Sequence, residues 1–282
     1  MFTDAVKKVS RFTRPIMFIS RSYKSEQVIP GAATMFFVND KGTALTTRHV
    51  AEEILQAEKI NQRYGEFRQA QAVASGAPKD HRAGLRKLEK EFGYRNGTRV
   101  NLKVRFLGAV TPIRKFTIHL HPEYDLAILQ FEDFESLNYV PDDIALLEDE
   151  SYLSPGRSLC RLGYPFPEFS NFTYDKATDQ IQWTDQDPII PSFPIDGIMT
   201  RRLGDANGRV YGIEMSTPGL RGQSGGPLFD TEGRICGLQF ATHHLPLGFD
   251  PDGTAKLHVG MCVGLPVIKA FLDSYGIPYR TR

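Results

Sequence analysis

The chain has 282 residues, 41% hydrophobic and 24% charged, with 34 Lys and Arg against 33 Asp and Glu. That balance excludes a disordered or collagen-like chain, and a net charge of +1 excludes an overall field that would hold nucleic acid or an anionic membrane. At this length roughly three quarters of the unfolded surface can be buried, so no disulfide or metal staple is needed.

The first twenty residues carry Lys7, Lys8, Arg11 and Arg14 around a short apolar run at 16–19. That run is too brief for a signal-peptide core or a bilayer span, so the expected address is the cytoplasm. Residues 33–38, Asn39-Asp40-Lys41-Gly42 and 43–46 spell a β-hairpin. Residues 52–99 break the strand pattern. Ile54, Ala57, Ile60, Tyr64 and Phe67 recur every three or four positions, as do Leu85, Leu88 and Phe92 after Gly76 and Pro78, which predicts an insertion of two amphipathic helices. Its 10 basic against 7 acidic residues describe a solvated face rather than a nucleic-acid arm.

Val100, Leu102, Val104 and Phe106 alternate with polar neighbours as in a half-buried strand, and 116–120 and 126–128 continue the theme. After Asp149, strands are expected at 158–162, 197–202, 210–216, 234–240 and 258–263, with a closing helix over 267–275. The stretch 163–194 is rich in Pro and aromatics and reads as a long functional loop, with one short strand near Ile181 to Trp183. Cys160, Cys236 and Cys262 are odd in number and lie in apolar contexts, so they read as reduced core thiols. The chain is therefore mostly β, with two strand-rich units at 12–140 and 150–282 forming a single domain.

The densest chemical signal is Gly222-Gln223-Ser224-Gly225-Gly226-Pro227-Leu228. Glycines around a serine let a reacting carbonyl approach both a hydroxyl and adjacent amide N–H groups, giving a nucleophile and an oxyanion hole. The same letters fit the nucleophile elbow of α/β-hydrolases. In that fold an acid and a His follow the Ser, whereas only 58 residues lie beyond Ser224, with one clear helix. The better order is His, Asp, Ser. Thr46-Thr47-Arg48-His49 sets a His at a strand end, and His121-Pro122-Glu123-Tyr124-Asp125 delivers an Asp just before an apolar strand. A serine hydroxyl needs a His to take its proton, and that His needs a carboxylate to fix its tautomer.

On these three segments the chain resembles the trypsin-like, chymotrypsin-fold serine peptidases, and among them the bacterial HtrA/Deg protease domain. The likeness runs over about 15–273, excluding the insertion. It implies a fold of two antiparallel β-barrels, the first carrying the helical insertion, with a C-terminal helix. It also implies a triad of His49, Asp125 and Ser224 and an oxyanion hole from the amides of Gly222 and Ser224. By the same match Pro218, Gly219, Leu220 and Arg221 would wall the site for the P1 side chain, and Phe240, Ala241 and Thr242 would pair with the substrate backbone. No carboxylate stands among these residues to receive Lys or Arg, so a small or medium apolar P1 residue is expected.

Departures from the pattern bear on regulation. His49 and Asp125 are 76 residues apart, an excess that the insertion explains. Gln223 stands where the digestive enzymes have Asp, and no "I-V-G-G" type start is present to pair with it, so activation by N-terminal cleavage is not expected. HtrA-like peptidases usually append a PDZ domain and work outside the cytoplasm; neither a PDZ domain nor a leader is read here.

The reading is a serine endopeptidase selective for a protein or peptide substrate, needing no cofactor. A zinc site from His119, His121, His243 and His244 is disfavoured, because no Cys or Glu stands at ligand spacing. Regulatory protein partners are expected to act through 52–99 or 163–194. Activity should rise with pH through about 6 to 8, because the general base must be neutral to accept a proton. The rival reading is a catalytically silent interaction module that keeps the peptidase fold.

Overall fold

The computed structural model describes residues 1–75, 81–246 and 256–282. A helix α1 (Thr3–Ser10) leads into β1 (Thr13–Ser22), β2 (Val28–Phe37) and β3 (Thr43–Thr46). Then come helices α2 (Arg48–Ser75) and α3 (His81–Phe92), followed by β4 (Arg99–Phe106), β5 (Val110–Thr111), β6 (Lys115–Leu120), β7 (Ala127–Glu132) and β8 (Ser136–Leu137). Six of these strands pair in the order β4-β1-β2-β3-β7-β6 as a sheet curled into a half barrel, with β5 and β8 forming a short side ladder.

The second unit holds β9 (Ser158–Gly163), the hairpin β10 (Phe172–Asp175) and β11 (Gln180–Trp183), then β12 (Phe193–Gly204) and β13 (Val210–Met215). It ends with β14 (Pro227–Phe229), β15 (Ile235–Pro246), β16 (Lys256–Gly264) and α4 (Leu265–Ser274). Its main strands close as a barrel in the order β12-β13-β16-β15-β14-β9. The expected two-unit β architecture with a terminal helix is thus present, one unit closed and one half open.

The open side of the first unit is occupied by the insertion. Helix α2 packs along β4 and touches β6, the two outer strands. The Asn61 side chain donates to the Leu102 carbonyl (2.6 Å) and accepts from the Leu102 N–H (3.1 Å), so it satisfies the exposed edge of β4 as a neighbouring strand would. Ile54, Tyr64 and Phe67 are buried as the periodicity required. Tyr64 and Phe67 join Tyr23, Tyr94 and Val100 in a small aromatic core, with Leu85, Leu88 and Phe92 packed against it. The expected break at Gly76 and Pro78 lies outside the described residues. Where two helices were expected to start near Glu52, α2 starts at Arg48, so the turn after His49 and the first inserted helix are one continuous element.

Two elements were not legible. Helix α1 seats Ala5 and Val9 in the main core and sets Phe2 edge-on to Phe229, with ring centroids 6.3 Å apart. The Pro-rich 163–194 stretch contains a full hairpin, not one strand, and Phe169 and Ile181 bury against Met17 and Ile19 of β1. The three cysteines are free and buried, as expected, and burial pushes the thiols of Cys160 and Cys262 up to about 12. No described helix is long and apolar enough to cross a membrane.

Candidate active site

His49 is the second residue of α2 and Asp125 ends the turn before β7. The Asp125 carboxylate accepts twice from the same residue: Oδ1 from the His49 backbone N–H (2.9 Å) and Oδ2 from the ring at Nδ1 (2.7 Å). Both ring plane and helix start are therefore fixed by one carboxylate. With Nδ1 protonated as donor, Nε2 is left as the acceptor.

The turn that presents Asp125 is held by His121, which the sequence offered only as a weak metal ligand. Its Nδ1 accepts the N–H groups of Glu123 and Tyr124, each at 3.1 Å, while Arg48 donates to the carbonyls of His121 and Pro122 at 3.0 Å. Burial pushes the His121 pKa below the usual histidine range, the nearby Glu123 opposing and Arg48 assisting. A histidine whose folded pKa is lowered keeps its contribution while neutral and loses it as pH falls below about 6.5, where the unfolded chain takes the proton first. Wild type should therefore lose more unfolding free energy between pH 7 and pH 5 than His121→Asn, whose amide oxygen accepts without titrating. Urea midpoints at the two pH values check this, and equal losses would count against it.

Ser224 lies in the turn between β13 and β14, tied to both units by Thr34 of β2. The Thr34 hydroxyl donates to the Gly222 carbonyl (2.8 Å) and accepts the Tyr164 N–H (3.1 Å), and the Thr34 N–H donates to the Ser224 carbonyl (2.9 Å). Such close seating requires glycine. At Gly225, with φ +85°, a Cβ would fall 2.1 Å from the Thr34 carbonyl oxygen, and at Gly222, with φ +94°, 2.5 Å from that of Tyr164. Gln223 is fully buried: its Oε1 accepts the Leu220 N–H (3.0 Å) and its Nε2 donates to the Phe193 carbonyl (3.1 Å). A neutral amide thus holds the loop from inside.

The Gln223 N–H donates to Leu220 and that of Gly225 to Gln239, whereas among the described residues the N–H groups of Gly222 and Ser224 have no protein acceptor. Two free donors one residue apart in a glycine turn can hold an oxyanion. His49, Gly222 and Ser224 line a single cavity of about 310 Å³ bounded by β1, β2, β4, the start of α2 and the 221–224 turn. Asp125 reaches it through His49. In this state the Ser224 hydroxyl makes no hydrogen bond to His49 among the described contacts, and Nε2 lies 3.5 Å from Thr47 Oγ1.

The residues expected to hold substrate divide into two groups. Gly219 faces Thr242, whose hydroxyl accepts the Gly219 N–H (3.0 Å) and donates to the Gly219 carbonyl (2.8 Å). Behind them Gly219 packs on the Gln239 amide. Arg161 of β9, fully buried, donates to Gln239 Oε1 (2.7 Å), to the Thr217 carbonyl (2.9 Å) and hydroxyl (2.6 Å), and to the Pro218 carbonyl (3.1 Å). Burial pushes its guanidinium pKa down. Arg161 was missed, although it shares a strand face with Leu159 and so reads as inward-pointing. Leu220 is partly exposed, and Phe240 packs on the main core at a β15 bulge. Among the described strands, 241–246 pairs only with β16, and the Ala241 carbonyl accepts from Gln239 Nε2 (2.6 Å). Arg221 stands apart from this group and lines the cavity beside Ser224.

Among the described residues no cluster of three or more His, Cys, Asp or Glu could hold a metal ion. His119 instead bonds Gln130 (2.8 Å), and the His244 ring contacts that of His258.

A family model described as a trypsin-like peptidase domain matches residues 33–238. Among solved structures, an HtrA-type protease, AlgW, with a decapeptide is similar at 14% identity and a TM-score of 0.52, covering 97% of this chain and 67% of that one. The active form of the Rv3671c protease from M. tuberculosis aligns at 14% identity and a TM-score of 0.47, over 99% of this chain and 86% of that one. No curated protein matches.

Proposed function

The chain belongs to the trypsin-like peptidase family, a family of serine endopeptidases, and we propose that it cleaves its substrate with Ser224 as nucleophile, His49 as general base and then acid, and Asp125 as the group that orients His49. The observation that carries this reading is the pair of hydrogen bonds that His49 donates to the Asp125 carboxylate, made beside a cavity that also holds Ser224 and two unpaired amide donors. Nε2 of His49 takes the hydroxyl proton as Ser224 Oγ bonds the substrate carbonyl carbon, and the oxyanion is held by the N–H groups of Gly222 and Ser224. The C–N bond breaks as that proton passes to the leaving amine. A water then deprotonates onto His49 and cleaves the acyl-enzyme, restoring the serine.

The acyl side of the substrate lies along 240–242, on the side of β15 that no described strand covers. The P1 side chain is small to medium, since the Thr242 hydroxyl bridges the Gly219 N–H and carbonyl and Gln239 with Arg161 packs behind them, and apolar, since 218–221 offers no carboxylate to a Lys or Arg side chain. The substrate is a specific protein or peptide, and a partner acting on the insertion or on 163–194 regulates the site. Three buried, unpaired thiols suit a reducing compartment such as the cytoplasm.

The deciding experiment is labelling of wild type and Ser224→Ala with a fluorophosphonate, followed by mass mapping of the adduct. Labelling at Ser224 that disappears in the variant is expected. An unlabelled wild-type serine would leave the silent interaction module as the better account.

A further inference from the structure

The sheet of the first unit stops short of closing, and the edge it leaves at β4 is free in a defined register. Among the described strands β4 pairs with β1 alone, and successive residues of an antiparallel strand point their N–H and C=O groups alternately to one side and the other. Leu102 turns both groups away from β1 and onto the Asn61 amide, so Val104 and Phe106, two and four residues on, turn theirs the same way. These four groups, two donors and two acceptors, have no partner among the described hydrogen bonds. Both residues line a groove of about 500 Å³ between β4 and residues 54–61 of α2, which Phe116 of β6 and Trp183 of β11 also line. Leu55 is 45% and Phe116 36% exposed there, and the buried indole N–H of Trp183 has no acceptor. Lys103, half-buried, and Glu58, exposed, complete the lining, and neither has an ion-pair partner among the described residues.

We propose that this groove docks an extended segment of a protein partner, which adds to β4 as a further strand and acts on His49 through α2. The proposal rests on the reading that a partner regulates the site through the insertion. Free backbone groups at every second residue call for another extended backbone, and the Asn61 amide, already seated on Leu102 as a strand would be, sets where the added ladder stops. Side chains of the segment alternate in the same way. Those on the face of Val104 and Phe106 meet Ile54 and Leu55 and are apolar, whereas the one opposite Lys103, on the other face, is acidic. Leu55 is six residues beyond His49 on one helix, about 9 Å along its axis, so a strand lodged against it bears on the element that carries His49.

The test uses the full chain carrying Ser224→Ala, which cannot cut its probe, and a dodecapeptide library displayed on phage. Binders are counter-selected on the same chain with Val104→Pro, which removes one free N–H and is tolerated on an edge strand whose N–H faces outward. Circular dichroism verifies that this variant folds, and Leu55→Glu, on the exposed wall of α2, should weaken binding as well. Surviving peptides should alternate apolar with polar residues and carry an acid among the polar ones. The best of them, synthesised, should protect the Val104 and Phe106 amides from hydrogen exchange and bind Val104→Pro about ten-fold or more weakly, the cost of one lost hydrogen bond. Its acid should cease to matter in Lys103→Glu. Added to wild type, it should change the rate of fluorophosphonate labelling at Ser224. No survivor of the counter-selection, or protection at 241–242 in place of 104 and 106, overturns the inference. A chain that sediments as a dimer and becomes monomeric in Val104→Pro also overturns it, since a second copy is then the occupant. A bound peptide that leaves labelling unchanged overturns the action on His49. The functional reading is decided separately, by labelling of wild type without peptide.

Discussion

His49→Ala is expected to lower kcat about a million-fold, and the double variant with Ser224→Ala to be no slower than either single one, because the members of a triad act as a unit. The geometry argues for such coupling. Among the described hydrogen bonds the Asp125 carboxylate has none to Ser224; it accepts two from His49, at 2.9 Å and 2.7 Å, and acts through them. Asp125→Asn is expected to cost about 10⁴-fold in kcat with the fold intact. Its single carbonyl oxygen can serve the His49 backbone N–H, but the amide nitrogen then faces Nδ1 as a donor. The ring must accept there, the proton moves to Nε2, and the base is blocked where it should act. Single-turnover rates on one peptide, with circular dichroism to verify folding, check both claims. An additive double variant, or an Asp125→Asn enzyme within ten-fold of wild type, would sink the triad assignment.

Why the segments of the proposed triad were readable while their supports were not follows from how far each signal travels along the chain. Gly222 to Leu228 advertises itself because the proposed nucleophile, the amide donors and the glycines are contiguous in sequence. Thr34, by contrast, binds Gly222 and Ser224 from 188 and 190 positions away, and in sequence it is one more Thr in an alternating strand. The same holds for Asn61, whose amide seals the β4 edge from within a helix, and for Arg161, whose acceptors come from another strand and a distant loop. Hydrophobic period located nearly every long element, since burial of one face is a local requirement. It could not show that α2 would be continuous through His49, or that the first sheet would stay half open, because both depend on what packs alongside. The His121 turn lies between these cases: its residues are adjacent, yet a ring nitrogen accepting two backbone N–H groups leaves no mark in composition.

Asp179→Ala is expected to destabilise the fold by about 3–5 kcal/mol, the range for removing one partner of a buried ion pair. Asp179 lies in the β10–β11 turn with φ +55°, a conformation Asp tolerates better than most residues. Its carboxylate accepts from Arg21 of β1 and Arg68 of α2 at 2.8 Å each, from the Tyr174 hydroxyl at 2.6 Å and from the Tyr64 hydroxyl. Burial pushes this carboxyl up, but the two tyrosine hydroxyls and the guanidinium groups of Arg21 and Arg68 outweigh it and hold the pKa below the usual Asp range. The stabilisation is therefore complete above about pH 4 and is lost as pH falls through the lowered value. Alanine would leave Arg21, whose side chain is 3% exposed, without its counter-charge. Calorimetry should find the melting temperature lower by roughly 10 °C, at about 2–4 °C per kcal/mol for a chain of this size. The consequence for activity runs along α2. Its 28 residues span about 42 Å, with His49 in the first turn and Tyr64 and Arg68 further along the same rod. The 163–194 segment is thereby latched to the helix that carries His49, the proposed base. In Asp179→Ala, hydrogen exchange should rise together in α2 and in β10–β11, and the rate of fluorophosphonate labelling at Ser224 should change with it. A variant that lost stability yet kept wild-type labelling kinetics would show that the latch is structural and that the gate lies elsewhere.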